Sequence, residues 1–442
     1  MRTILRYLGV LSIGIAAACG DDGSKSGDGG ADGGTVAPHI IAGGGIADGP
    51  IAGVANVYVI DDLTRQPIRG AAVKVGAVSG TTDATGLFIA TGVTGPQTIE
   101  ATAATYGAAM WIGVDGANAT IDLKPAVGPA PVTLSGHVTG LSDLTVGSGH
   151  VKVALVTYSQ SDVVGDAANN YQTPGSGNAC FAVGATDSCA FTLASRTGNL
   201  ALVAAIIDDD TNGTPDDSSD DTQTLIGWAA RTDLTVSGDL SGVDLAIIPG
   251  DMLGTVTASF GAPPVALGAP SAFIGLELGA SGVMQLPVPV TQAAPSLLVP
   301  TLASVGATGY RLTGVAQITD PVQGPDSLVL RRDLPGPTLD AGAWLDPPSG
   351  VAVTRTAAQW NAVSGGTVMT VAFTNGDAPL LDITVLDGST SVVPDPATLP
   401  AGSASVSVQA IGAPGLDVGN FGLDADRDKL VQVSGVPLQL TD

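Results

Sequence analysis

Apolar and polar residues alternate along short runs through most of this chain. Residues 54–60 (VANVYVI) and 72–75 (AVKV) show the rhythm, and 86–89 and 119–123 repeat it. A period of two puts successive side chains on opposite faces of an extended strand. The same reading predicts strands at 132–138, 150–158, 200–207 and 225–230, then at 254–259, 272–278, 309–318 and 327–330. The last set falls at 354–360, 367–373, 382–385, 403–410 and 430–433. Between the runs stand many of the 61 Gly and 29 Pro, which favour turns over helix interiors.

Composition sharpens this into an all-β expectation. Hydrophobic residues make up 44% of the 442 residues but aromatic ones only 4%, so the cores must be built from Val, Leu, Ile and Ala. Of 41 acidic residues only Glu100 and Glu277 are Glu. Asp competes with the helical backbone and suits turns, whereas Glu is a good helix former. Almost no helix is expected beyond the first residues.

Those first residues break the alternation. Arg2 and Arg6 precede the mainly apolar run 8–15, and Ala16, Ala17 and Ala18 lead to Cys19. The layout is that of an export signal, too short for a bilayer span of about 20 residues. It resembles the bacterial lipobox, and that resemblance implies acylation of Cys19 as the new N-terminus. Ala16 stands where Leu is commonest in that motif, so simple cleavage after Ala18 is the competing expectation. Residues 20–37, rich in Gly and Asp, lack the apolar surface to fold. As a coil they would space the first domain about 20–25 Å from the membrane. Gly20 after the Cys implies outer-membrane sorting by the enteric rule.

The remaining cysteines, Cys180 and Cys189, flank a Gly-Ala-Thr-Asp turn. In an oxidising compartment they would pair as a local staple worth about 2–3 kcal/mol, leaving Cys19 for the lipid. Two free buried thiols are the alternative.

Within 45–126 the residues Pro67, Ile68, Gly70, Ala71 and Val73, followed by Thr82, Asp83, Gly86 and Phe88, resemble the carboxypeptidase regulatory-like domain. That resemblance implies a small transthyretin-like β-sandwich acting as a structural or presenting module. The peptidase itself is not implied: zinc chemistry uses His and Glu at helical spacing, and His39, His137 and His150 have no Glu nearby. Trp360, the run 368–373 and the Leu-Pro-Ala-Gly-Ser turn at 399–403 resemble a fibronectin type III-like sandwich. The expected layout is a signal at 1–18, an acylated Cys and linker at 19–44, and tandem β-sandwiches at 45–126, 130–250, 251–334 and 335–442.

The strongest chemical candidate is the run 208–221. Asp208, Asp210, Asn212 and Gly213 match the start of a calcium loop, Thr214 offers a carbonyl, and Asp216 falls at the ninth position. Ser219 replaces the twelfth-position Glu of EF-hands, and the flanks are strands, so a structural calcium in a β-hairpin is expected, with a solvated acidic loop as the alternative. A further triplet, Asp424, Asp426 and Asp428, lacks a turning Gly.

A net charge of −25 excludes a nucleic-acid partner, whose phosphates need Lys and Arg clusters. No G-x-S-x-G elbow occurs, and two Glu give little scope for paired-carboxylate hydrolysis. The expectation is a non-enzymatic envelope lipoprotein acting as a structural, adhesive or presenting spacer on the surface or periplasmic face, with an envelope protein or a polysaccharide as partner. The alternative is a carbohydrate-binding lipoprotein using Trp111, Trp228, Trp344 or Trp360.

Overall fold

A computed structural model describes residues 36–128, 130–160, 178–213, 221–318, 324–376, 378–394, 399 and 402–440. Cys19 lies outside them. Strands account for 54% and helix for 4%, so the architecture is all-β and consistent with tandem β-sandwiches. Among the described residues the α-helix is one turn, Leu302–Val305, capped by the Thr301 hydroxyl, which accepts from Ser304 N, and closed by left-handed Gly306.

The first segment is two-layered. One sheet orders Phe421–Gly422, Gly45–Ala47, Asn118–Leu123, Ala52–Asp61 and Leu87–Thr94. The facing strands are Ala108–Val114, Gln97–Thr102, Ala72–Val75 and Val78–Thr81. Val57, Val59, Ile99 and Ile121, all fully buried, fill the space between. Thr82 ties the sandwich edge: its hydroxyl donates to Ile68 O at 2.6 Å and accepts from Ala71 N at 2.9 Å. The Asp83 carboxylate accepts from Thr85 N and Leu87 N, and Gly86 takes φ +76° where a Cβ would lie 2.9 Å from Val59 O. The turn thus needs both a side-chain acceptor and a residue without a side chain.

The second segment is a seven-stranded sheet in the order Ala179–Val183, Val151–Tyr158, Gly198–Asp210, Thr222–Val236, Leu245–Ile247, Val132–Thr139, Ser188–Ser195. The two cysteine-bearing strands are therefore its opposite edges and not a paired hairpin. Cys180 and Cys189 are disulfide-bonded with Cα atoms 5.5 Å apart, so the bridge draws the edges together and curls the sheet around its core. Gly198–Asp210 works on both faces. Leu200, Leu202, Ala204 and Ile206 enter this core, while Ala201, Val203 and Ala205 enter the next one with Trp228, Ile274 and Leu312. Its unbroken apolar run is the mark of a strand buried on two sides.

A thirteen-stranded sheet dominates the rest. From one end it runs Val283–Gln285, Ser271–Glu277, Gly309–Gln317, Asp326–Leu334, Gln432–Leu440 and Ala404–Gly412. It continues through Val368–Asn375 and Ala378–Val385 into Ala108–Val114, Gln97–Thr102, Ala72–Val75 and Val78–Thr81, with Val290–Thr291 paired onto Ser271–Glu277. Strands from three stretches of chain thus share one ladder. Ala378–Val385 meets Ala108–Val114 in parallel, Asp382 opposite Ala109 and Thr384 opposite Trp111. The smaller sheets Ser296–Pro300, Leu253–Ser259, Thr338–Asp340 and Ala352–Val353, Ala358–Gln359, Ser391–Val392 complete the set.

Candidate functional site

The acidic run 208–221 begins as strand, not loop. Asp208 and Asp210 are still paired with Thr224 and Thr222, so their side chains share one face. His150, just before Val151–Tyr158 on the neighbouring strand, sits between them. Its Nδ1 is 2.8 Å from Asp208 Oδ1 and its Nε2 3.3 Å from Asp210 Oδ2. The chain turns only at Asn212, at φ +49°, and Gly213, at φ +81°, where Asp210 Oδ1 accepts from Asn212 N at 3.0 Å. Thr214 and Asp216 lie outside the described residues. Among the described residues no three His, Cys, Asp or Glu are grouped to hold a metal ion. Of the residues matched to a calcium loop, Asp208 and Asp210 are brought together, with an imidazole between their carboxylates.

A second site arises where the first and last segments meet. On Val368–Asn375, Val371 and Phe373 point into the last segment's core, as do Ile383 and Val408 on the adjacent strands. The alternate positions face the other way. Register places Thr370 opposite Gln409 and Thr384, and Ala372 opposite Ser407 and Asp382. A polar outer face of this kind ordinarily meets solvent. Here Asp122 and Lys124 from the first segment and residues 421–430 from the last cover it, leaving a cavity of about 670 Å³. Its floor is hydroxyl and amide, from Thr370, Thr384, Ser405, Ser407 and Gln409. The apolar part of its lining comes from residues including Trp111, Leu386, Ile411 and Phe421.

Charges gather at the junction. Lys124 Nζ lies 3.1 Å from Asp382 Oδ2, and their side chains keep 38% and 29% exposure because they face the cavity. The Asp382 carboxylate beside Lys124 raises the ammonium's pKa against the opposing effect of burial. Asp426 accepts from Lys429 Nζ at 2.7 Å and from Gly422 N at 3.0 Å. Asp122 is thereby the lining carboxylate whose cation is not already committed. Burial holds its pKa above the ordinary range, with Lys124 and Arg65 pulling the other way. Behind it Asp62, 1% exposed, accepts from Arg65 Nη1 at 2.9 Å through Oδ1, while its buried Oδ2 meets no donor. Burial first, then the Asp122 charge, pushes the Asp62 carboxyl up to about 8.

Sequence reading missed this junction. The signal available was the pair Asp61-Asp62 closing an otherwise apolar strand run and Asp122 on the outward beat of 119–123, acids gathered at the ends of buried strands. The four Trp do not form an exposed stacking platform. Trp111, Trp228 and Trp360 are buried and Trp344 is half-buried, with Trp228 Nε1 donating to Leu298 O and Trp344 Nε1 to Gly261 O.

No protein-family model and no curated protein matches the chain. Among solved structures, the Bacillus anthracis TIE protein is similar over 60% of this chain and 45% of its own length, at 11% identity and a TM-score of 0.14. The native conformation of E. coli alpha-2-macroglobulin is similar over 87% of this chain and 28% of its own, at 10% identity and a TM-score of 0.13. Salmonella alpha-2-macroglobulin reacted with methylamine gives 90%, 30%, 9% and 0.10 in the same order. The chain spans less than half the length of each of these structures.

Proposed function

We infer that the chain is an exported, lipid-anchored protein of the bacterial cell envelope, placed at the outer membrane. In this reading it is a non-enzymatic spacer that holds a binding surface away from the lipid. The observation that carries the reading is the thirteen-stranded sheet. A ladder running through three stretches of chain resists bending in a way that separate beads on linkers do not. The Cys180–Cys189 bridge supports an oxidising compartment, where disulfides persist. It also leaves Cys19 as the thiol for acylation. The carboxypeptidase regulatory-like likeness belongs to the same reading, with its first segment as the presenting module.

The test labels cells with radioactive palmitate and follows the full chain. Incorporation that disappears in Cys19→Ala, together with release of that variant from membranes, is the expected result. An unlabelled wild type that is freely soluble after lysis overturns the anchor. Protease added to intact cells then tells an outward-facing protein, which is cut, from one facing the periplasm, which is cut only after the envelope is opened.

A second reading, carbohydrate binding, is favoured by one observation. The cavity floor offers hydroxyl and amide groups at two-residue spacing along paired strands, a surface suited to ligand hydroxyls. Recognition would rest on hydrogen bonding in this cavity, since the Trp rings are packed away. Calcium, proposed as a structural ion, would enter at Asp208 and Asp210 by taking the place that His150 holds between them.

A further inference from the structure

We propose that the cavity between the first and last segments binds an amine-bearing sugar, its hydroxyls on the Thr370, Ser407 and Gln409 floor and its ammonium against Asp122. The proposal rests on the carbohydrate reading above and names the ligand class for that site.

Size, polarity and charge each narrow the ligand. A cavity of about 670 Å³ suits a small molecule, within the usual range of about 300–1,000 Å³ for such sites. The floor presents side chains that both donate and accept, which matches ring hydroxyls and leaves a purely apolar ligand facing unpaired polar groups. The charges exclude phosphate-bearing ligands. Asp122, Asp382 and Asp426 outnumber the single lining ammonium, Lys124, and Lys124 is held by Asp382 at 3.1 Å. With Asp426 held by Lys429, Asp122 is the carboxylate among the lining residues left for an incoming cation. A neutral sugar would satisfy the floor and leave that carboxyl without an ion pair of its own, since Lys124 pairs with Asp382 and Arg65 with Asp62 and both act on Asp122 only from beyond contact.

Binding would also change the protonation of the site. Burial favours the protonated form of Asp122 against the pull of Lys124 and Arg65, with the Asp382 and Asp62 carboxyls also acting on it, and a ligand ammonium beside it favours the ionised form. The amine therefore binds as Asp122 gives up its proton, and affinity rises with pH while the ligand amine stays charged.

The experiment is titration calorimetry of the full chain at about 0.15 M salt, where exposed charges more than about 8 Å apart are screened. Three disaccharides of the same linkage serve as probes: glucosamine-β-1,4-glucosamine, its di-N-acetylated form, and cellobiose. The expected result is binding of the diamine at least about tenfold tighter than either neutral probe, as for a charge-assisted contact. That preference is lost in Asp122→Asn, and all three probes weaken in Gln409→Ala. Asp244→Asn, whose side chain is 56% exposed in the second segment, leaves the titration unchanged. Thermal melting checks that each variant is folded. If Asp122→Asn does not fold, the rise of wild-type affinity with pH carries the test, and a flat profile overturns the proposal. Equal binding of cellobiose and the diamine overturns the amine assignment and leaves the saccharide reading standing. No binding of any probe overturns both. An equal loss in Asp244→Asn overturns the proposal by reducing it to attraction toward an acidic surface.

Discussion

The indole of Trp111 lies stacked on the ring of Phe421, their centroids 6.0 Å apart and their planes within 11° of parallel. One ring belongs to the first segment and the other to the last. Phe421 is also a ladder partner of Ile46, so ring contact and backbone pairing fasten the same joint. Phe421→Ala is expected to cost about 3–5 kcal/mol, the range for removing a buried aromatic from a packed core. Urea denaturation measures it, with Val265→Ala at a fully exposed position as the neutral comparison. A loss below about 1 kcal/mol would show that the two segments hold their folds independently.

Buried carboxyls set a pH dependence. Burial pushes Asp62 up to about 8 and Asp326 up to about 6, from an ordinary 3.8. A carboxyl that holds its proton more tightly when folded contributes stability that is complete below its unfolded pKa and is lost as pH rises through the folded one. As far as these two groups set it, the denaturation midpoint should therefore be highest below about pH 3.8 and decline from there toward pH 8. Asp326→Asn should remove the part of the slope between about 4 and 6, and Asp62→Asn the part reaching about 8. A midpoint constant from pH 4 to 8 contradicts the assignment.

The disulfide closes a short loop in sequence but a whole sheet in space. Replacing Cys180 and Cys189 with Ser should lower stability by about 2–3 kcal/mol on the chain-entropy model. Hydrogen exchange adds a finer test. The amides of Ala179–Val183 and Ser188–Ser195, the two edges, should lose protection before those of Gly198–Asp210. Uniform loss across the sheet would show that the bridge does not act at the seam.

Calcium, if it enters the acidic loop, binds the folded chain and raises Tm by mass action. The expected outcome is a higher Tm in millimolar calcium than in chelator, with the difference removed by Asp210→Asn. Identical melts would exclude the ion and leave His150 as the tie between Asp208 and Asp210.

Most strand centres were legible because alternation and burial coincide there, as at Ala72–Val75 and Val132–Thr139. Ala108–Val114 was not, since AAMWIGV is buried on both faces and has no polar beat. The single strand expected at 354–360 is two short ones, because the Thr354 hydroxyl accepts from Ala357 N and turns the backbone between them. The cysteine pair was readable from spacing, but its location at the sheet's two edges depends on the intervening strands. Asp122, Lys124 and Asp382 escaped for a related reason. Their meeting depends on parallel pairing across most of the chain, so the acids stand out locally but the partner they meet does not.

The order of synthesis runs against the order of pairing. Ala108–Val114 is made early, yet its outer neighbour in the ladder, Ala378–Val385, is among the last strands to appear. Until then its backbone donors and acceptors stand open along an edge that carries Met110 and Trp111, a template for any passing strand. Contacts so distant in sequence also form slowly. A chain halted before residue 378 is thus an adhesive fragment, and only the finished one conceals its own seam.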